Sequence, residues 1–127
     1  MIALDASVLI AHLYPRDAHH RAASALLRVA AGEALIAHSL TLAEVLVGGV
    51  RVGRGPEMLA DLGSVGVQLA QRPDDEPLRL ANLRAATGLR WPDCCALDTA
   101  LSNAAALATF DQVLASAARQ RTVRVVP

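Results

Sequence analysis

The sequence predicts an α/β fold in which a mostly parallel, five-stranded sheet is sandwiched between helices. Two observations predict it. Short apolar runs alternate along the chain with segments of helical period, the pattern of strand–helix–strand units. And 54% of the 127 residues are hydrophobic although Trp, Tyr and Phe occur once each, so Leu, Val, Ile and Ala must build the core, which suits helices packed closely on a sheet. The length fits one domain spanning residues 1–127, with a proper core, and is too short for two.

Taken in order, "MIALDAS" reads as a short buried strand, and "SVLIAHL" as a helical segment that stops before Pro15. "RDAHHRAASALLRVAAG" has a helix pattern, apolar at Ala22, Ala23, Leu26, Leu27 and Ala30, and ended by Gly32. "ALIAH" is a second strand, and "SLTLAEVLVGGVRVG" is a helix running from a Ser or Thr cap to the glycines. Residues 55–73 carry mixed signals, with "MLADLG" read as helix and "VQLAQ" as strand. "DDEPLRLANLRAATG" is a well-marked helix, with acids at its start, arginines later and Gly88 at its end. A further helix runs from Pro92 to about Asn103; "AALATF" is a strand, "DQVLASAAR" a helix and "TVRVV" the last strand.

Composition removes several classes of function. No apolar run approaches the ~20 residues of a membrane span, and "MIALDAS" lacks the basic region of a secretory signal, so a cytoplasmic protein is expected. Twelve basic and twelve acidic residues cancel, and every basic residue is Arg. Chemistry that needs a lysine is therefore excluded, including that of a phosphorylated receiver domain of similar size. Cys94 and Cys95 are adjacent, a spacing unsuited to a structural disulfide or zinc, and read as small buried hydrophobes.

In an open parallel sheet, ligands bind beyond the carboxyl ends of the strands, among helix N-termini. Asp5 ends the first strand, Asp111 lies just past the fourth, Asp93 opens a helix, and Glu44 lies in the helix after the second strand. Three of these acids have ordinary alternatives: Asp5 and Asp111 suit helix N-caps, and Asp93 suits a helix dipole. Glu44 interrupts an apolar helix expected to be buried, with no arginine one turn away to pair with it. Four facing carboxylates would repel one another unless a divalent cation neutralises them. Mg²⁺ and Mn²⁺ prefer oxygen ligands, keep several waters, and can activate a water while offsetting charge on a phosphate, which points to phosphodiester hydrolysis. Ser7 and Thr109 stand two residues from an acid each, and suit either orienting those carboxylates or capping turns.

"LDASVLIAHL", the Glu of "SLTLAEVLVG", "LRWPDCCALDTAL" and "LATFDQVL" together resemble a PIN-domain ribonuclease, nearest in kind to the VapC toxin of bacterial toxin–antitoxin pairs. The resemblance runs from residue 2 to about 118 and rests on the order and spacing of four acids. It implies a PIN-like three-layer sandwich and makes Asp5, Glu44, Asp93 and Asp111 the metal-binding and catalytic carboxylates. It also implies Mg²⁺ or Mn²⁺, cleavage of RNA by a metal-activated water, homodimerisation, and inhibition by a VapB-like antitoxin whose C-terminal segment occupies the active groove. Val113 stands where relatives often carry a further acid, a departure that bears on a second metal. Asp98 lies ~140° round the helix from Asp93, which suggests a surface role or one behind the metal ligands.

Arg51 and Arg54, after the Glu44 helix, are the candidates for holding RNA phosphate, with Arg16, Arg21 and Arg90 as possible helpers. His12, His19, His20 and His38 are read as surface or groove residues. Two competing readings remain at this level: a cysteine hydrolase using Cys94 or Cys95, and a catalytically inactive PIN-like module that binds RNA or protein.

Overall fold

The computed structural model describes residues 1–127. Its five strands are β1 (Ile2–Leu4), β2 (Leu35–Ala37), β3 (Val67–Leu69), β4 (Ala106–Ala108) and β5 (Val125–Val126), paired in the order β3-β2-β1-β4-β5. Every pairing is parallel, so the expected mostly parallel sheet is wholly so. Seven α-helices join them: α1 (Ala6–Leu13), α2 (His20–Val29), α3 (Ser39–Arg51), α4 (Gly55–Ser64), α5 (Glu76–Thr87), α6 (Trp91–Ser102) and α7 (Gln112–Gln120), with a 3₁₀ turn at Ala30–Gly32.

Alternation along the strands sorts the core into two layers. Ile2, Leu4, Leu35, Ala37, Ala106 and Ala108 face one way and pack with Val8 and Leu9 of α1, Leu27 of α2, Val45 of α3 and Leu62 of α4. Ala3, Ile36 and Leu107 face the other way, against Leu83 of α5, Leu97 and Ala100 of α6, and Leu114 of α7. The result is helix layer, sheet, helix layer. Alanines at strand positions 3, 37, 106 and 108 are almost sealed, and their small side chains let helices approach the sheet closely.

Local signals end the elements much as the residues suggest. Pro56, Pro77 and Pro92 occupy first-turn positions of α4, α5 and α6, where a missing N–H costs nothing. Gly88 takes a left-handed conformation (φ 68°) that closes α5, with its N–H donating to Arg84 O. Helix α2 starts later than its pattern suggested: residues 14–19 form turns, and Asp17 O accepts the His20 N–H.

Two features of this topology place a site. The chain builds outward from β1 to β2 and β3, then returns to add β4 on the other side of β1. The crevice at the carboxyl ends of β1 and β4 is therefore the topological switch point, where open α/β sheets take ligands. Helix α6, buried continuously from Asp93 to Ala100, packs against β1 and β4 and delivers its first turn to that crevice.

Candidate active site

Asp5 follows β1 directly and starts α1, so the strand fixes its backbone; its N–H donates to Ala108 O at 3.0 Å. It occupies the N-cap position, but its side chain makes no capping bond, contrary to the capping alternative. Instead Oδ2 accepts hydrogen bonds from Ser7 Oγ and Thr109 Oγ1, both at 2.8 Å. Those hydroxyls are themselves oriented: Ser7 Oγ accepts the Phe110 N–H and Thr109 Oγ1 accepts the Asp111 N–H, each at 3.0 Å. With their acceptor sides engaged by backbone, both hydroxyls point their protons at the carboxylate. Asp5 Oδ1 has no protein donor, and the residue, 7% exposed, lines a cavity.

Asp111 does cap its helix, Oδ1 accepting from Val113 N (2.9 Å) and Leu114 N (3.1 Å). Asp93 is in the first turn of α6, buried, with Arg90 Nε 3.5 Å from Oδ2. Glu44 corrects an expectation, for it is exposed rather than buried. The inward stripe of α3 is Thr41, Val45 and Gly49, spaced four apart, so Glu44 sits at its edge while Val47 and Val50 face solvent. Nor does it lack a countercharge, since Arg90 comes to it from the α5–α6 connection.

All four acids line one cavity of about 220 Å³, together with Ser7, Thr41 and Arg90. Their fields overlap. Burial pushes the Asp93 carboxyl above its usual range; Arg90 opposes this, and Asp5 and Asp111 reinforce it. Glu44 is raised in the same way by loss of water, opposed by Arg90 and reinforced by Asp5 and Asp93. Four carboxylates thus share a single guanidinium.

The donor chemistry fits a hard divalent cation, because carboxylate and hydroxyl oxygens face the cavity and neither imidazole nor thiolate does. No three His, Cys, Asp or Glu groups already surround a common point at metal-ligand spacing.

The other candidates fall elsewhere. Arg51 and Arg54 do not line the cavity; Arg51 lies seven residues past Glu44, ~10 Å along α3, and Arg54 is engaged by Glu57 at 3.1 Å. Arg16 and Arg21 are exposed, and Arg90, counted among the helpers, is the arginine at the acids. Asp98 is not on the surface: it is buried and paired with Arg79 Nε at 2.9 Å. His38 is likewise buried, with Nδ1 accepting the Leu40 N–H to cap α3 and Nε2 3.4 Å from Glu76 Oε1. His12 contacts Ser24, His20 bonds Ala11 O, and His19 stacks on Phe110. Cys94 and Cys95 are free and buried, and burial pushes the Cys95 thiol up to about 11, which withholds the thiolate a nucleophile needs.

Sequence reasoning missed Thr41, although it stands three residues before Glu44 and so shares that face of α3.

A family model described as PIN domain matches residues 2–120. No curated protein matches the sequence. Among solved structures, FitAcB from Neisseria gonorrhoeae is 21% identical, with a TM-score of 0.72 over 100% of this chain and 97% of that one. PAE2754 from Pyrobaculum aerophilum is 20% identical, with a TM-score of 0.64 over 98% of this chain and 88% of that one. Identities this low speak to the fold alone, and both structures share it.

Proposed function

The chain belongs to the PIN-domain family, whose members are generally nucleases, and from that premise we propose that it is a Mg²⁺- or Mn²⁺-dependent endoribonuclease. We read it as a VapC-like toxin, paired with a VapB-like antitoxin and with a second copy of itself. The observation that carries the enzymatic reading is the cavity at the β1/β4 switch point, where Asp5, Glu44, Asp93 and Asp111 meet with Arg90 as their one cation. The toxin reading rests on the residue pattern shared with that family.

In this reading, a bound cation supplies a more acidic water and offsets charge on the phosphate. The chain does the rest. Asp5, held on one oxygen by Ser7 and Thr109, would hold the cation through its other oxygen. Asp111 has one oxygen committed to its helix and the other available. Asp93 and Glu44 complete the carboxylate lining of the cavity, and one of them would accept the proton released as the water oxygen attacks phosphorus. The bond to the leaving ribose oxygen breaks, and that oxygen leaves protonated by solvent. Arg90, largely exposed at the rim, suits a phosphate oxygen.

The test is cleavage of total RNA by the purified chain with Mg²⁺, beside Asp5→Asn and Asp93→Asn. Wild type should cut, EDTA should block cutting while lowering the melting temperature only by the repulsion the cation had relieved, and both variants should cut at least about 10²-fold more slowly. Equal RNA decay in all three proteins would instead support a PIN-like binding module that carries a contaminating nuclease. Co-expression with the product of an adjacent small reading frame should suppress cleavage if that product is the antitoxin.

A further inference from the structure

Thr41 is the one threonine in the chain whose hydroxyl has no protein partner. Thr87 and Thr99 donate to the carbonyls four residues back, Leu83 O (2.6 Å) and Cys95 O (2.8 Å), the usual resort of a helical threonine. Thr109 donates to Asp5 and Thr122 to Arg121 O. Thr41 is nonetheless 2% exposed and lines the acid cavity. No fully sealed polar side-chain atom in the chain lacks a partner. The Thr41 hydroxyl is therefore not fully sealed, and the residue that carries it lines the cavity beside the carboxylates.

A valine would fill the same place between Val45 and the sheet without an unmatched polar atom. What a hydroxyl adds is one donor and up to two acceptor positions in a cavity lined by four carboxylates and one guanidinium. The other cavity hydroxyl, on Ser7, is spent on Asp5 and Phe110. Thr41 is the uncommitted neutral group. Glu44 lies three residues on and projects from the same side of α3. A small polar cavity with two such neighbours supplies the two or more partners an ordered water requires.

We propose that the Thr41 hydroxyl positions a hydration water of the divalent cation beside Glu44, acting as a water-positioning residue of the cavity. This rests on the metal-dependent reading above. Outer partners of this kind tune how tightly a metal is held, at about 10–100-fold in affinity or rate when removed.

The experiment is a titration of the RNA-free chain with Mn²⁺, followed by electron paramagnetic resonance, on wild type, Thr41→Val and Thr41→Ser. Thr41→Val should bind Mn²⁺ about 10-fold more weakly while melting no lower than wild type, and Thr41→Ser, which keeps the hydroxyl, should restore the affinity. RNA cleavage by Thr41→Val should fall mainly in kcat. Unchanged Mn²⁺ affinity in Thr41→Val would overturn the proposal, and a rise in KM alone would overturn it in favour of direct contact with RNA. A wild type that binds no Mn²⁺, with Asp5→Asn no different, would remove the metal-dependent reading itself.

Discussion

Two regions of this molecule bury carboxylates to nearly the same depth and treat them oppositely. At the β1/β4 crevice, Asp5 and Asp93 are 7% and 8% exposed; between α5, α6 and the start of α3, Glu76 and Asp98 are 5% and 4% exposed. Burial does not distinguish them. Pairing does. Glu76 receives Arg72 Nε on both oxygens, at 3.0 and 3.2 Å, and stands beside His38, while Asp98 receives Arg79. The crevice instead gathers four acids around Arg90 alone. A chain that can match buried carboxylates with arginine in one place, and leaves them in excess in another, is storing negative charge where a cation would use it.

The sharpest way to break this contrast is to neutralise one acid in each region. Asp5→Asn should lower single-turnover RNA cleavage by about 10²–10³-fold while the urea midpoint stays at or above that of wild type. In the paired region the signature reverses. Arg79→Met would leave Asp98 buried without its partner and cost roughly 2–3 kcal/mol, less than a fully buried pair because Arg79 is itself about a third open to water. Urea denaturation should show that loss, with cleavage retained at low temperature. Stability loss from Asp5→Asn with normal cleavage would exchange the roles of the two regions.

A finer probe uses pH. The carboxyls of Asp93 and Glu44 are raised, so between the ordinary carboxylate range and those raised values the folded chain holds more protons than the unfolded one. Their contribution therefore falls as pH rises through that window. Without metal, the melting-temperature advantage of an Asp93→Asn, Glu44→Gln double variant over wild type should be largest at neutral pH and shrink in acidic buffer. Excess Mg²⁺ should erase it, because the cation favours the ionised forms. An advantage independent of both pH and Mg²⁺ would mean that repulsion is not its source. The smallest effect is expected from Cys94→Ala with Cys95→Ala, which should leave cleavage unchanged and serve as the control for core packing.

How much of this could be read from the residues depends on what each reading needed. Short apolar runs alternating with helical periods located all five strands and the helices between them, the weakest signal being that of β3, which is largely exposed and has Gln68 at its centre. The convergence of the acids followed from the parallel sheet, since Asp5, Asp93 and Asp111 were anchored to a strand end or a helix start and Glu44 to the helix after the second strand. Orientation was harder. Glu44 was expected inside because its neighbours are apolar, yet the buried stripe of α3 passes through Thr41 and Val45, leaving Ala43 and Val47 outside with it. Asp98 was expected either at the surface or behind the metal ligands, because position round a helix was counted from Asp93; α6 is buried on every side there, and Asp98 pairs with Arg79. The Arg72–Glu76–His38 cluster was invisible: His38 and Glu76 are 38 residues apart, and nothing local announces that they touch.

The two hydroxyls on Asp5 have one more consequence. Thr109 and Asp5 are separated by 104 residues, and the backbone that aims both hydroxyls lies at Phe110 and Asp111. While the chain is being made, its first strand has no neighbour on the β4 side until residues 106–108 have been translated. A nascent product that stops short of β4 would carry Asp5 and Glu44 but lack Asp111 and the Thr109 hydroxyl, so the acid cavity is complete only once residue 111 has been made.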